Sequence, residues 1–241
     1  MVREVGVEEL VATTDDPFLR HHPLRARRAW RSGAAVVLDG AGGRPGAPPG
    51  RVFTALGPPD LLGPLMHDLA AAGEQPLRLT VDVTAYDVVP ASWHQPAPHR
   101  WHWMLTRGPA REAAADPVEE VTDPAEIDAV LDVANPDSFA RPGTPGVECW
   151  LGLREAGALV AVGALVRQPD GSGHLRGVSV LPAYAGRGLG TALSAALTRR
   201  GLAGPGVCSL GVYVDNAPAV AIYERLGYVA AHTFASGTVS A

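Results

Sequence analysis

The stretch from His174 to Arg200, HLRGVSVLPAYAGRGLGTALSAALTRR, constrains this chain more than any other. Leu175 to Leu181 is rich in Val and Leu and stops at Pro182, which predicts a strand. Further on, Leu189, Leu193, Ala196 and Leu197 recur at helical spacing, Arg199 and Arg200 fill the last turn, and Gly201 is the expected C-cap. Between the two, Gly186-Arg187-Gly188-Leu189-Gly190 must turn the chain from strand to helix. Such a turn presents unpaired backbone N–H groups and the positive end of a helix dipole, and glycine lets an anion come close to the backbone. Phosphate is the usual anion for a nest of this kind. An ordinary strand–helix turn is the alternative that glycine spacing alone leaves open.

The 241 residues suffice for one large domain or two ordinary ones, and a 46% apolar fraction can fill a sizeable core. A net charge of −5 argues against a general nucleic-acid binder. No apolar run approaches membrane-spanning length, and the N-terminus lacks a signal-peptide pattern. Cys149 and Cys208 are too few for a disulfide framework. A cytoplasmic protein with buried thiols is expected, with no nucleic-acid or membrane partner.

Punctuation divides the chain in two. Val5 to Thr13 and Pro23 to Arg31 read as helices, the second carrying Arg25, Arg27, Arg28 and Arg31 as a solvated face or an attractor of acidic groups. Ala34–Leu38, Arg51–Leu56, Leu77–Val83 and Trp101–Arg107 read as strands, Asp39–Gly50 as a loop, and Leu61–Ala72 as a helix opened by Pro58-Pro59-Asp60. His94, His99 and His102 sit among Trp93, Trp101 and Trp103, but their spacing fits no common zinc motif, so no metal is expected there. Gly108 to Pro124 reads as a linker, and the expected domains are residues 1–115 and 116–241. In the second, Asp123-Pro124-Ala125-Glu126 starts a helix that Pro136 ends. Strands follow at Cys149–Arg154, Leu159–Arg167 and Val207–Val214; a helix at Ala217–Leu226 and a last strand from Tyr228 to about Ala235 complete the half.

This order resembles the GNAT N-acetyltransferase superfamily, and two motifs carry the resemblance more specifically than the order does. Tyr184-Ala185-Gly186-Arg187-Gly188-Leu189-Gly190 after Val178-Ser179-Val180-Leu181-Pro182 is similar to the family's acetyl-CoA motif, Q/R-x-x-G-x-G/A. Val212-Tyr213-Val214-Asp215-Asn216, Ala219 and Tyr223-Glu224-Arg225-Leu226-Gly227-Tyr228 resemble its second motif. The resemblance covers about Asp116 to the end of the sequence. It implies an α+β GNAT fold, a mixed central sheet flanked by helices, with acetyl-CoA as co-substrate and an amine as acceptor. Gly186, Arg187, Gly188, Leu189, Gly190 and Thr191 then hold the pyrophosphate, and Val178, Ser179 and Val180 pair with the pantetheine arm where the fourth and fifth strands splay. Asn216 is a helix N-cap by type and position, and by resemblance also contacts the arm. Tyr223 is, by resemblance, the general acid that protonates the leaving thiolate; a core tyrosine under the sheet is its other reading.

The sequence departs from the pattern twice. Ala185 stands where Gln or Arg usually opens the motif, leaving Arg187 to supply the charge. Gly211 stands where some relatives carry a carboxylate base, so the base is open among His174, Glu148 and a water chain, with a polar turn-proximal role as the alternative for His174. The strand–helix–strand order around Arg51 to Val83 has the shape of the second half's core, but Thr54-Ala55-Leu56-Gly57-Pro58-Pro59-Asp60 lacks its glycines. A degenerate GNAT-like first half is therefore expected, as in two-half relatives similar to glycine N-acyltransferases. The expected activity is transfer of an acetyl or short acyl group from acetyl-CoA to a primary amine of a small molecule or amino acid. A protein N-acetyltransferase and a non-catalytic acyl-CoA sensor or interaction module are the alternatives, and a homodimer is allowed.

Overall fold

The computed structural model describes residues 2–22, 26–41, 50–108 and 118–240. They form two units: unit 1 is Met1–Trp103, Tyr213–Asp215 and Ala231–Ala241, and unit 2 is Met104–Val212 and Asn216–Ala230. The expected boundary at 115/116 lies outside the described residues. The units also interleave along the chain, which a single boundary does not capture.

Unit 1 runs through β1 (Arg3–Val5), α1 (Val7–Thr13), α2 (Pro17–His21), β2 (Ala26–Ser32), β3 (Ala35–Ala41), β4 (Arg51–Leu56), α3 (Pro59–Ala71) and β5 (Arg78–Asp82). Strands β1 to β4 pair antiparallel in order, and β4 pairs β5 in parallel with α3 between them in the chain. Two 3-10 turns lead into β6 (His99–Thr106), whose last three residues belong to unit 2. The core packs Trp30, Phe53 and Trp93 edge to face against Leu62, Leu65 and Met66 of α3.

The helix expected over Pro23–Arg31 is instead strand β2, as far as the described residues 26–31 show. Period-two placement explains it: Arg28 and Trp30 share a face, and the Arg28 guanidinium lies 4.5 Å over the indole. Arg28 also pairs with Glu4 and Glu74, so its acidic partners come from within the chain.

Unit 2 repeats the element order. It contains β7 (Glu119–Glu120), α4 (Pro124–Ala134), β8 (Val147–Glu155), β9 (Ala158–Arg167), β10 (Gly173–Val180), α5 (Leu189–Leu202), β11 (Cys208–Tyr213) and α6 (Ala217–Arg225). The sheet order is β11-β10-β9-β8-β7, antiparallel except for the parallel β10–β11 pair on either side of α5 in the chain. The Asp123 carboxylate accepts from the Ala125 N–H and starts α4, as its sequence position implies. The final strand, β12 (Val229–Thr238), pairs Phe234–Thr238 with β5 and so completes the sheet of unit 1.

Gly201 does not cap α5; the helix continues to Leu202. Its absent side chain serves packing instead. A Cβ there would lie 2.5 Å from Cys208 Sγ, and one on Gly173 would lie 2.5 Å from the Gly201 Cα. Capping falls to Arg167, whose guanidinium donates to the carbonyls of Gly201, Ala203 and Arg200. Both cysteines are free and buried. Among the described residues, no helix is long and apolar enough to cross a membrane.

Candidate active site

Strand β10 has two unlike edges. Toward β9 it is paired from Gly173 to Val180, with a bulge between Arg176 and Ser179. Toward β11 the ladder holds only three pairs and ends at Leu175–Leu210. The edge carried by Val178 and Val180 thus has no ladder partner on the β11 side, and an extended amide can add there as a strand would. Gly177 makes the bulge. Its φ is 61°, and a Cβ would sit 2.9 Å from Ser138 Oγ and 3.6 Å from the Trp150 ring. Ser179 is buried, and its hydroxyl donates to the Gly177 carbonyl.

Beyond β10 the chain reaches α5 through a 3-10 turn at Pro182–Tyr184. Gly186 and Gly188 take φ of 77° and 83°, with open space where a Cβ would stand. Backbone conformation, not crowding, demands glycine there. Gly188 is the N-cap and offers no side chain, so the N–H groups of Leu189, Gly190 and Thr191 point outward; the Ala192 N–H closes the first turn onto Gly188. No acidic residue opposes the dipole in that turn. Arg187 is half exposed, 5.0 Å over the Tyr184 ring and 3.6 Å from Glu155. A Cβ on Gly190 would lie 3.7 Å from both Ile222 and Val180, which brings α6, the start of α5 and the end of β10 together.

The acetyltransferase (GNAT) family profile matches residues 113–228, and this segment carries every element just described. The chain has the GNAT fold. Solved structures with this fold include an acetyltransferase from the GNAT family of Colwellia psychrerythraea, at 10% identity and TM-score 0.60, covering 100% of both chains. GCN5-related N-acetyltransferases of Sphaerobacter thermophilus and Kribbella flavida align at 15% and 18% identity, TM-scores 0.57 and 0.55; each covers 98% of this chain, and 94% and 96% of their own. A curated relative, an uncharacterized protein of Mycobacterium leprae, is 29% identical over 90% of this chain; the chain spans 64% of that relative's length.

Within the GNAT unit, Asn216 caps α6, accepting from the Ala219 N–H at 3.3 Å. Tyr223 follows two turns later. It is 8% exposed, edge-on to Tyr228 and beside the Ser194 hydroxyl, and burial pushes its phenol up to about 12. Its proton is therefore retained at any ordinary pH. His174 lies at the zipped end of the β10–β11 ladder, 4% exposed, with Nδ1 2.9 Å from Ser209 Oγ. Glu148 pairs with Arg167 at 2.6 Å and with Arg200 at 3.6 Å; the Arg167 hydrogen bond, outweighing burial, holds its carboxyl below the usual range. That makes Glu148 a weaker proton acceptor than a free carboxylate.

Unit 1 reaches its crossover helix differently. Four consecutive pairs join β4 to β5, and β3 to β4 is regular. Only Gly57-Pro58 links β4 to α3, Pro58 is the N-cap, Pro59 opens the helix and Asp60 lies in its first turn. Two prolines remove two amides, and a carboxylate opposes an incoming anion. In the histidine cluster, His102 Nδ1 lies 2.9 Å from Thr233 Oγ1 and His99 packs on Tyr213. Among the described residues, no three His, Cys, Asp or Glu side chains are grouped to hold a metal.

Sequence reasoning missed Gly177, Ser138 and Trp150. The signal was present, since a lone glycine inside a strand pattern marks a bulge or a close approach.

Proposed function

We propose that the chain transfers an acetyl or short acyl group from acetyl-CoA to a primary amine, a small metabolite or amino acid first. The single observation that carries this is the β10 edge, unpaired toward β11, running into a glycine nest at the N-terminus of α5. In this reading the amides of Gly186 to Thr191 hold the pyrophosphate and Arg187 adds charge beside them. Val178 and Val180 pair with the pantetheine amides, and Asn216 contacts the arm from α6. The amine nitrogen attacks the thioester carbonyl, and N–H groups near Ser179 and Val180 hold the tetrahedral oxygen. The C–S bond then breaks and Tyr223 gives its proton to the departing sulfur. Gly211 supplies no base, His174 is too enclosed and Glu148 is held by arginines, so the amine proton leaves to water. Unit 1 is read as a degenerate GNAT half: it repeats the element order but lacks the bulge, the short ladder and the amide nest.

A second reading is an acyl-CoA sensor without turnover, favoured by Gly211 and by the burial of Tyr223. Calorimetry with acetyl-CoA, followed by an amine screen that monitors free thiol, separates the two. Binding with turnover supports transfer; binding without turnover for any amine supports the sensor; no binding at high micromolar acetyl-CoA overturns both. Tyr223→Phe is expected to lower kcat by about 100-fold, the lower range for a general acid. Full turnover of that variant across pH removes Tyr223 from the chemistry.

A further inference from the structure

Tyr228 is a second buried tyrosine, 2% exposed, to which the reaction outlined above assigns no part. Just beyond α6 the chain turns at Gly227, whose φ is 90°. The Tyr228 N–H donates to the Tyr223 carbonyl at 3.0 Å, and the Gly227 N–H donates to Glu224. This closure ties the backbone of Tyr228 to that of Tyr223. Their rings also meet edge to face, with centroids 5.8 Å apart and planes at 65°.

The phenol end of Tyr228 is anchored to α5. Its hydroxyl lies 2.9 Å from Thr198 Oγ1, and Thr198 Oγ1 donates to the Ser194 carbonyl at 2.6 Å. A hydroxyl has one proton, and that of Thr198 is committed to Ser194, so Tyr228 is the donor to Thr198. The chain from Tyr228 through Thr198 to Ser194 therefore has one direction. Each member is at most 2% exposed, in a core made mostly of Leu, Val and Ala. It ends on the turn of α5 whose Ser194 side chain stands beside the Tyr223 hydroxyl. Phenylalanine would fill the volume of Tyr228 almost equally well; what the hydroxyl adds is a single fixed geometry.

We propose that Tyr228, anchored through Thr198, is a positioning residue that holds the Tyr223 ring in place for proton delivery. The inference rests on the reading of Tyr223 as the proton donor. Tyr228→Phe and Thr198→Val keep shape and remove the anchor, and Tyr223→Phe is the reference. Two measurements are made on the full chain: kcat and KM with acetyl-CoA and the best amine of the screen, and carbon-13 NMR of tyrosine-labelled protein, which reads the flip rate of the Tyr223 ring.

Both anchor variants are expected to lower kcat about tenfold, a modest misplacement effect, with KM for acetyl-CoA unchanged. The double variant should lose no more than either single one. Tyr223 ring signals should pass from separate to averaged. A kcat within twofold of wild type, or an unchanged flip rate, overturns the proposal. Full turnover of Tyr223→Phe overturns the proton-donor reading alone, and the flip rate then still decides whether Tyr228 fixes the ring. If no amine turns over, the flip rate decides by itself; if Tyr228→Phe does not fold, Thr198→Val carries the test.

Discussion

Ala156 has a φ of 48°, a left-handed conformation found at no other non-glycine among the described residues. It forms, with Gly157, the two-residue loop between β8 and β9, where Glu155 pairs with Ala158. Both loop positions have positive φ, which a type I′ turn requires and for which Asn-Gly is the favoured pair. Ala156→Asn is expected to stabilise the protein by about 0.5–1 kcal/mol, part of the left-handed penalty for a residue with a Cβ. A denaturant titration checks it; an unchanged midpoint would refute the strain. Individual residues were legible in the sequence where backbone demand and residue type coincide. Gly186, Gly188 and the Asn216 and Asp123 caps are such positions, because only a few residue types satisfy those geometries. The surroundings of Tyr223 were not legible, since burial is settled by what the fold brings against a side chain. Arg187 was legible as a charge, but its pairing with Glu155 joins residues 32 positions apart.

Helix α5 shows what an element demands of its neighbours. Gly173 and Gly201 let it lie directly on β10 and β11, with Leu193, Ala195 and Leu197 buried along it. A Cβ on Gly173 would meet backbone atoms of Gly201 at 2.5–2.9 Å, and backbone cannot rotate aside. Gly173→Ala is expected to cost about 2–3 kcal/mol, the upper range for overpacking, and to lower Tm accordingly. A loss under 0.5 kcal/mol would mean that the helix can lift away. The helical periodicity of α5 predicted the element, but not that Gly201 lies inside it, because glycine signals a cap and a close approach alike. A similar ambiguity misplaced β2: the four arginines of the sequence segment Pro23–Arg31 suggested a helix face, while Ala29 and Trp30 in β2 are buried in a sheet. Short runs that mix Arg and Ala carry too little periodicity to decide between periods of two and 3.6.

At the scale of the molecule, one order of elements occurs twice, and among the described residues only unit 2 has an open strand edge running into an amide nest. The repetition was legible as a shape around Arg51 to Val83; the interleaving of the units was not, because no local signal tells a strand which distant edge it will join. In unit 1, His232 bridges Asp82 at 3.1 Å and Asp16 at 2.9 Å through its two ring nitrogens, with its side chain 14% exposed. Burial opposes the charge, but the hydrogen bonds that the ring donates to both carboxylates outweigh it and raise the imidazole to about 9. The folded value exceeds the unfolded value of about 6.5, so the stabilisation is complete below about pH 6.5 and is lost as pH rises through 9. Asp16 and Asp82 are lowered in turn despite burial, so their share is present above the ordinary carboxylate range and fades as pH falls through their folded values. Wild type is expected to lose on the order of 2 kcal/mol between pH 6.5 and 9.5, and His232→Gln to lack that slope. Equal slopes in urea titrations of the two proteins would contradict the bridge.

The return of β12 to β5 also sets an order in time. Asp82 pairs with Phe234, 152 residues later, and both Phe234 and Ala235 are buried in unit 1. During synthesis the residues of β1 to β5 emerge first, yet the β5 edge that Phe234–Thr238 will occupy stays bare until almost all of unit 2 has been made. Unit 2 also waits on late residues, since α6 and Tyr228 belong to its core, but its strands β7 to β11 are all made by residue 213. The part of the chain made first thus closes its sheet only with residues 234–238, and until then the β5 edge is open to pairing with another strand.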